Sequence, residues 1–365
     1  MSIYLDYQAT TPLAPEARAA MAPWLDEKFA NPHSSHKVGR EAAAAIEVAR
    51  DQIAALLPKG GKLYFTSGAT EALNWALRCA GDVHGGLAIA ATEHAAVRDT
   101  ATWLTQSGRT LTDLPVNHDG LIDALPNLSS GTAMVAAMLV NNEIGVIQPI
   151  STLAEQAHRV GALFLCDAVQ GFGRLPIPEG PDLIAISAHK IHGPKGIGAL
   201  WVREGVALEP LIHGGGQEGG LRSGTLSPAL CAGFGAAAKI AADRMGEDAA
   251  HVRRLWDIAM DMLPQGWVLN GAADARYHGN LNIRRAGLDV ARLISALRDL
   301  AFSAGSACAS GSGRPSHVLR SLGLSDQEAR SSVRIGFGRY TSEDDLRFAL
   351  NQIFVASDQQ GQAFQ

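Results

Sequence analysis

Lys190 follows an apolar run, Leu183–Ile186, within Ser187-Ala188-His189-Lys190, and precedes Gly193-Pro194-Lys195-Gly196. An amine held at the mouth of an apolar sheet loses part of its basicity, which suits it to a Schiff base. A solvated loop lysine would leave the same local pattern. Asp167 follows another apolar run, Leu163–Cys166. Its carboxylate could face the ring nitrogen of a pyridoxal cofactor, or could cap the next helix. His94, after Leu87–Ala90 and Ala91-Thr92-Glu93, offers a stacking ring with acid–base capacity, or a loop cap. Thr66-Ser67-Gly68-Ala69-Thr70-Glu71 sits where a strand should turn into a helix. Small residues there let backbone N–H groups approach a phosphate; an ordinary N-cap is the other reading. The Gly-Lys pair of a P-loop is missing. Cys308 lies among small and polar neighbours, Ser303 to Gly313. Nothing local would bury it, so an exposed and reactive thiol is one reading and an idle one the other. Cys79, Cys166 and Cys231 lie in helical or strand runs and read as packing residues.

These groups need a scaffold that brings strand ends together. Between residues 40 and 205, helical and apolar strand patterns alternate. A helix is expected over Glu41–Leu57 and another over Ser151–Val160, with strands at Leu63–Phe65, Leu87–Ala90, Ala133–Val140, Ala162–Cys166, Leu183–Ile186 and Gly198–Val202. Strands apolar throughout belong to a sheet covered on both faces, so the fold class is α/β with a mostly parallel sheet. Ligands of such sheets bind beyond the carboxyl ends of the strands. Five successive ends carry polar groups: Ser67–Glu71, His94, Asn141–Glu143, Asp167–Gln170 and Ser187–Lys190. They point to one site on one edge.

After Val202 the texture changes. His213–Thr225 is Gly-rich and could be a linker or a backbone cradle for an anion. Helices are expected over Pro228–Met245, Ala250–Leu263, Asp289–Leu300 and Glu343–Val355, with short strands at Leu281–Ile283 and Val333–Phe337. This stretch reads as α+β, with a domain boundary in or near the long helix.

The chain has 365 residues, 47% of them hydrophobic, and a net charge of −5. Two domains fit that length, and the charge gives no reason to expect a nucleic-acid partner. The first residues hold no basic stretch followed by an apolar one, and no apolar run approaches a membrane span. Four scattered cysteines without a CxxC pair argue against a disulfide framework or a zinc site. The twelve histidines form no HxH or HxxxH pair, so no metal is expected. A cytoplasmic protein with reduced thiols is the default.

Taken together, the segments resemble the NifS/IscS-like cysteine desulfurases, which are class V, fold type I pyridoxal-phosphate enzymes. The resemblance runs from Leu5–Pro12 (LDYQATTP) and Asn31–His36 (NPHSSH), through SGATE, TEH, NNEIG, DAVQ, SAHKIHGPKG, GGGQEGGLRSGT and SAGSAC, to Ser331–Thr341 (SSVRIGFGRYT). It implies a seven-stranded, mostly parallel sheet flanked by helices in a large domain, residues 14–245. A small α+β domain, residues 1–13 and 246–365, would carry the cysteine loop. It implies pyridoxal 5'-phosphate linked to Lys190, with Asp167 on the ring nitrogen, Gln170 on the phenolic oxygen and His94 stacked on the ring. Ala69, Thr70, Ser187 and His189 would hold the phosphate, joined by Thr225 from the other protomer of a homodimer. Asn142, which also borders the cofactor, and Arg334 would face the substrate, L-cysteine, with Arg334 suited to its carboxylate.

Catalysis would then rest on Lys190, His94 and Cys308. The thiolate of Cys308 would take the sulfur as a persulfide, leaving L-alanine, and pass it to an acceptor protein such as an iron–sulfur scaffold. The stretch after Cys308, ASGSGRPSH, resembles the branch with a long catalytic loop. The chain departs from housekeeping members after Val355, where SDQQGQAFQ is shorter and more polar than their docking tail. A selenocysteine lyase or an aminotransferase on the same scaffold is the nearest rival, and Cys308 separates them. A catalytically idle, cofactor-loaded assembly partner is the rival from another class; retention of both Lys190 and Cys308 argues against it.

Overall fold

The structure is a computed structural model that describes residues 2–123, 125, 128–305 and 315–362. Cys308 lies outside the described residues. A two-residue strand, β1 (Ile3–Tyr4), precedes helices α1 (Pro15–Leu25) and α2 (Lys37–Ala54). Strands and helices then alternate: β2 (Gly61–Thr66), α3 (Ala69–Cys79), β3 (Gly86–Ala90), α4 (Ala95–Thr105), β4 (Leu111–Leu114), β5 (Thr132–Met138), α5 (Ile150–Arg159), β6 (Leu163–Asp167), β7 (Leu183–Ser187) and β8 (Gly198–Arg203). The long helix α6 (Pro228–Asp261) leads to β9 (Trp267–Leu269), β10 (Asn280–Arg285), α7 (Val290–Ala296), β11 (Leu300–Ala301) and β12 (Ser303–Ala304). Helices α8 (His317–Ser321) and α9 (Asp326–Arg330), strand β13 (Ser332–Gly336) and helix α10 (Glu343–Gln362) follow.

Seven strands form one sheet in the order β2-β8-β7-β6-β5-β3-β4. From β7 to β4 all neighbours are parallel, while β8 runs antiparallel to both β2 and β7. The reversal follows from chain length. Only residues 188–197 join β7 to β8, and a parallel crossover needs a dozen or more. The expected apolar character of the strands is explained by two cores. On β7, Ile184 and Ile186 enter one core with Ile46, Ile53 and Phe234, while Leu183 and Ala185 enter the other with Trp75, Leu77 and Val97. Alternate side chains point to opposite faces, and helices cover both. Cys166 and Cys231 are buried and Cys79 is half-buried.

A third core gathers Leu281, Ile283, Val333 and Ile335 of β10 and β13 with Leu350 and Ile353 of α10. These strands belong to a four-stranded sheet, β12-β13-β10-β9. Helix α6 serves two cores. Phe234 and Ala237 pack under the large sheet, and Val252, Leu255 and Trp256 pack in the third core. The two helices expected there are therefore one. Gly246 between them weakens a helix by about 1 kcal/mol against alanine but does not break it, and Arg244 spans the point with ion pairs to Glu247 and Asp248.

Other boundaries also differ from expectation. Helix α7 stops at Ala296, because Leu300–Ala301 is taken into a parallel pairing with β1. Helix α10 runs past Val355 to Gln362. Strand β4 was not expected, because its pattern (LTDL) is half-exposed at the sheet edge and gives no apolar run. Among the described residues no helix is long and apolar enough to cross a membrane.

One glycine fixes how the sheet meets the turn after β2. Gly198 lies between Thr66 of β2 and Ser187 of β7. A Cβ there would sit 2.6 Å from the Ile186 carbonyl oxygen and 2.7 Å from the Gly68 carbonyl carbon. We expect Gly198→Ala to cost about 1–3 kcal/mol through overpacking, because the displaced backbone belongs to the turn. Thermal melting checks this.

Candidate active site

The carboxyl ends of β2, β3, β5, β6 and β7 open on one cleft of about 620 Å³. Ala69, Thr70, His94, Asn142, Asp167, Gln170, Ser187, His189 and Lys190 all line it. The N-terminal segment closes one side with Gln8, Ala9 and Thr10.

Lys190 ends a single turn after β7 and is largely buried. Its Nζ donates to the carbonyl oxygens of Gln8 at 2.5 Å and Ala9 at 2.7 Å. Burial, with Arg174 and Arg334 nearby, pushes the amine down to about 7. Arg174 braces this corner: it donates to the Lys190 carbonyl at 2.7 Å and to Gln170 Oε1 at 2.7 Å, and its guanidinium lies over the Tyr277 ring. Gln170 in turn donates to the Gln8 carbonyl at 2.9 Å.

Asp167 is the last residue of β6. Its Oδ1 accepts the Val169 N–H at 2.9 Å, so the local turn and the cleft are both served by one carboxylate. Burial raises its pKa, while His94 and Lys190 oppose the rise. His94 likewise does two things: its Nδ1 accepts the Ala96 N–H at 3.1 Å as the cap of α4, and the ring lines the cleft. Burial and the Lys190 amine push His189 down to about 4, which leaves a neutral ring near Thr10 Oγ1, 3.2 Å away.

The turn after β2 has the features of an anion cradle. Gly68 caps α3 without a side-chain hydrogen bond, so the first N–H groups of the helix point outward unclaimed by a cap, with positive partial charge. Glu71 reaches back to the residue before that end, with its charge matched by an arginine. It takes the Ser67 N–H at 2.9 Å and a two-pronged pair from Arg222 at 2.7 and 3.1 Å.

Two of the expected residues do not line this chain's cleft, one of them, Thr225, being expected to reach the other protomer's. Arg334, on β13, is fully buried; it donates to the Asn142 carbonyl at 3.0 Å and pairs with Asp6 at 2.7 Å. It backs the cleft rather than lining it, and its Nε has no partner among the described residues. Thr225 is exposed and lies outside the cleft lining.

Other features of the site gave no sequence signal. The Gln8 and Ala9 contributions are backbone carbonyls. Glu93 precedes His94 and is fully buried; its Oε1 accepts the Met138 N–H at 2.5 Å and its Oε2 has no partner among the described residues. Burial and the nearby Asp167 push it up to about 8. Glu143 is buried too and is pushed up to about 7 by burial, against the pull of Ser316, Arg334 and His94. A surface-type residue in a loop motif gives no hint of such burial.

The sign of the Glu93 effect on stability is defined. The carboxyl titrates near 4.5 in an unfolded chain and at about 8 in the fold. The unfolded state therefore loses its proton first, and the stability Glu93 contributes is whole below 4.5 and lost as pH rises through about 8. Glu93→Gln keeps the neutral shape at every pH. Its melting temperature should gain on that of the natural chain across this window; a constant gap would contradict the assignment.

The chain is similar to known proteins over most of its length. The family model described as Aminotransferase class-V matches residues 3–348. The cysteine desulfurase IscS of Rickettsia akari (strain Hartford) is 45% identical over 370 residues, covering 97% of this chain and 90% of that protein. The protein of the same name from Rickettsia typhi (strain ATCC VR-144 / Wilmington) is 44% identical over 371 residues, with the same coverage. Among solved structures, a NifS-like protein from Rickettsia africae ESF-5 superposes with a TM-score of 0.88 at 29% identity, over 98% of this chain and 100% of its own. SspA, solved in complex with cysteine, gives a TM-score of 0.82 at 33% identity, over 93% of this chain and 100% of its own.

Proposed function

The chain belongs to the cysteine desulfurases of the class V aminotransferase family, and from that premise we propose that Lys190, Asp167, His94 and Cys308 carry its reaction. The reaction removes sulfur from L-cysteine and leaves L-alanine. The observation that carries the assignment is Lys190: a buried amine held by two carbonyls, with a depressed pKa and a buried carboxylate nearby.

The cofactor we assign is pyridoxal 5'-phosphate, and the residues present fit it. The uncapped N-terminus of α3 at Ala69 and Thr70, with Ser187 and His189, suits a phosphate. Asp167 would suit a protonated ring nitrogen, and His94, which lines the same cleft, would pack against the ring. When bound, this group supplies an electron sink next to the substrate.

The protein's own residues do the rest. Lys190 near neutrality is both nucleophile toward a carbonyl and a base that can move the substrate Cα proton. Gln170, fixed by Arg174 and the Gln8 carbonyl, lines the cleft beside Lys190. Asn142 and Arg334 set the substrate side, Arg334 through its hold on the Asn142 carbonyl. The Cys308 thiolate forms an S–S bond to the substrate sulfur as the substrate C–S bond breaks. The products are L-alanine and a persulfide on Cys308, which an acceptor protein then reduces or takes over.

Thr225, exposed in the single chain, would meet the phosphate of a second copy, which makes the working unit a homodimer. The acceptor we favour is an iron–sulfur scaffold, in the cytoplasm.

Borohydride trapping tests the assignment. Treating the protein with pyridoxal 5'-phosphate and then borohydride, followed by peptide mapping, should place the reduced adduct on Lys190. An adduct on another lysine, or none, would overturn the reading of the site.

A further inference from the structure

Thr225 apart, the reaction as assigned above gives the Gly-rich stretch His213–Thr225 no task. Its sequence allowed a linker or a backbone cradle for an anion. In the fold it is held against β2 and the turn that follows by two acid–base contacts. The first is made by Glu218, whose side chain is 3% exposed. Its Oε2 accepts the Phe65 N–H at 2.7 Å and its Oε1 pairs with Arg50 at 2.8 Å. Glu218 adopts a left-handed backbone, φ +50°, as do Gly216 and Gly219 on either side. A non-glycine residue there is costly and persists where contacts hold it. The second contact is the two-pronged pair from Arg222 to Glu71. The loop also closes on itself, with the Gly216 N–H donating to Ser223 Oγ at 3.3 Å and the Gly224 N–H to Gln217 Oε1 at 2.8 Å.

The Arg222–Glu71 pair stands beside the turn assigned to the phosphate. Ser67, Gly68, Ala69 and Thr70 line the cleft, and Glu71 does not. Glu71 belongs to the first turn of α3, and its Oε2 takes the Ser67 N–H at 2.9 Å. A carboxylate in the first turn steadies a helix. Toward an anion bound at that same end, however, it is a like charge. Arg222 resolves the conflict. The Arg222 and Glu71 side chains are only 16% and 15% exposed, so the pair is weakly screened. Against the effect of burial, Arg222 and the Ser67 contacts hold the Glu71 carboxyl below its ordinary range, so the charge is present at neutral pH.

We propose that Arg222 is a positioning residue for the cofactor phosphate: by cancelling the charge of Glu71, it lets that carboxylate brace the Ser67 N–H without repelling an anion at the same helix end. The Gly-rich loop is the arm that delivers this counter-charge, and Glu218 anchors the arm to β2. This rests on the reading of the turn after β2 as the phosphate site.

The test is equilibrium binding of pyridoxal 5'-phosphate, and of pyridoxal, which lacks the phosphate, to the full-length protein freed of cofactor in phosphate-free buffer. Absorbance follows both. The natural chain should prefer the phosphate form. Arg222→Met should weaken binding of that form about tenfold, the scale of one uncompensated like charge at a half-buried site, and leave pyridoxal binding unchanged. Glu71→Gln keeps an oxygen for the Ser67 N–H and should bind the phosphate form at least as tightly as the natural chain. Adding Glu71→Gln to Arg222→Met should restore the affinity. A pair that only fastens the loop gives the opposite: Glu71→Gln weakens binding, and the double variant is no better than Arg222→Met. Either result overturns the proposal, as does natural affinity in Arg222→Met or an equal loss there for both ligands. Should Arg222→Met not fold, the Glu71→Gln measurement decides alone. A natural chain that binds both ligands equally would remove the phosphate reading itself, whatever Arg222 does.

Discussion

Lys190→Ala is expected to lower alanine production from L-cysteine by about 10⁴-fold, the upper end for loss of a single acid–base group, because it would also remove the covalent hold proposed for the cofactor. The burial that makes this lysine useful is costly. Its ammonium form is destabilised by desolvation and by Arg174 and Arg334, and only the Gln8 and Ala9 carbonyls and the more distant acids compensate. Removing it should therefore not destabilise the fold. A variant that melts at or above the wild-type temperature, yet holds no cofactor after gel filtration, is the expected combination. Retained turnover would mean that another amine does the work.

Asp167→Asn should have the second largest effect. The amide keeps the shape, and its oxygen can still take the Val169 N–H, so the turn after β6 survives. What disappears is the negative charge that, in the proposed reading, would face the cofactor's ring nitrogen. Loss of one preorganised electrostatic partner commonly costs roughly 10²–10³-fold in rate, and turnover should fall by that amount with cofactor still bound. Burial raises the Asp167 carboxyl, and Glu93 stands close by with its own buried carboxyl. Relief of that crowding should leave the variant at least as stable as the natural chain. Activity and stability moving in opposite directions is what distinguishes a functional charge from a structural one. If both fall, Asp167 holds the fold rather than the reaction.

The strand ends were legible because parallel strands buried on both faces leave no polar residue in their runs. Each polar cluster after a run then stands out, as at Asp167 and Lys190. Residues of these clusters, from Ala69 to Lys190, line one cleft. Backbone groups left no trace: the carbonyls of Gln8 and Ala9 have the same chemistry in any sequence. The burial of Glu93 and Glu143 was equally hidden, since a glutamate in a loop motif reads as solvated until packing encloses it.

Elements of two or four residues were also hidden. Strands β1 and β11 pair only because the N-terminus returns to Leu300–Ala301, a long-range contact with no local pattern. Strand β4 is half-exposed and lacks the apolar run that marked its neighbours. The single helix α6 read as two because Gly246 interrupts the pattern, while the packing that carries it through, against two cores at once, is tertiary.

The measurement that tests the account most directly is the yield of alanine and sulfide from L-cysteine with a thiol reductant, for the natural chain and Cys308→Ala. The account expects equal amounts of both products from the natural chain and neither from the variant. A variant that still turns over would show that Cys308 is not the nucleophile, and that sulfur leaves the substrate without passing through a protein persulfide.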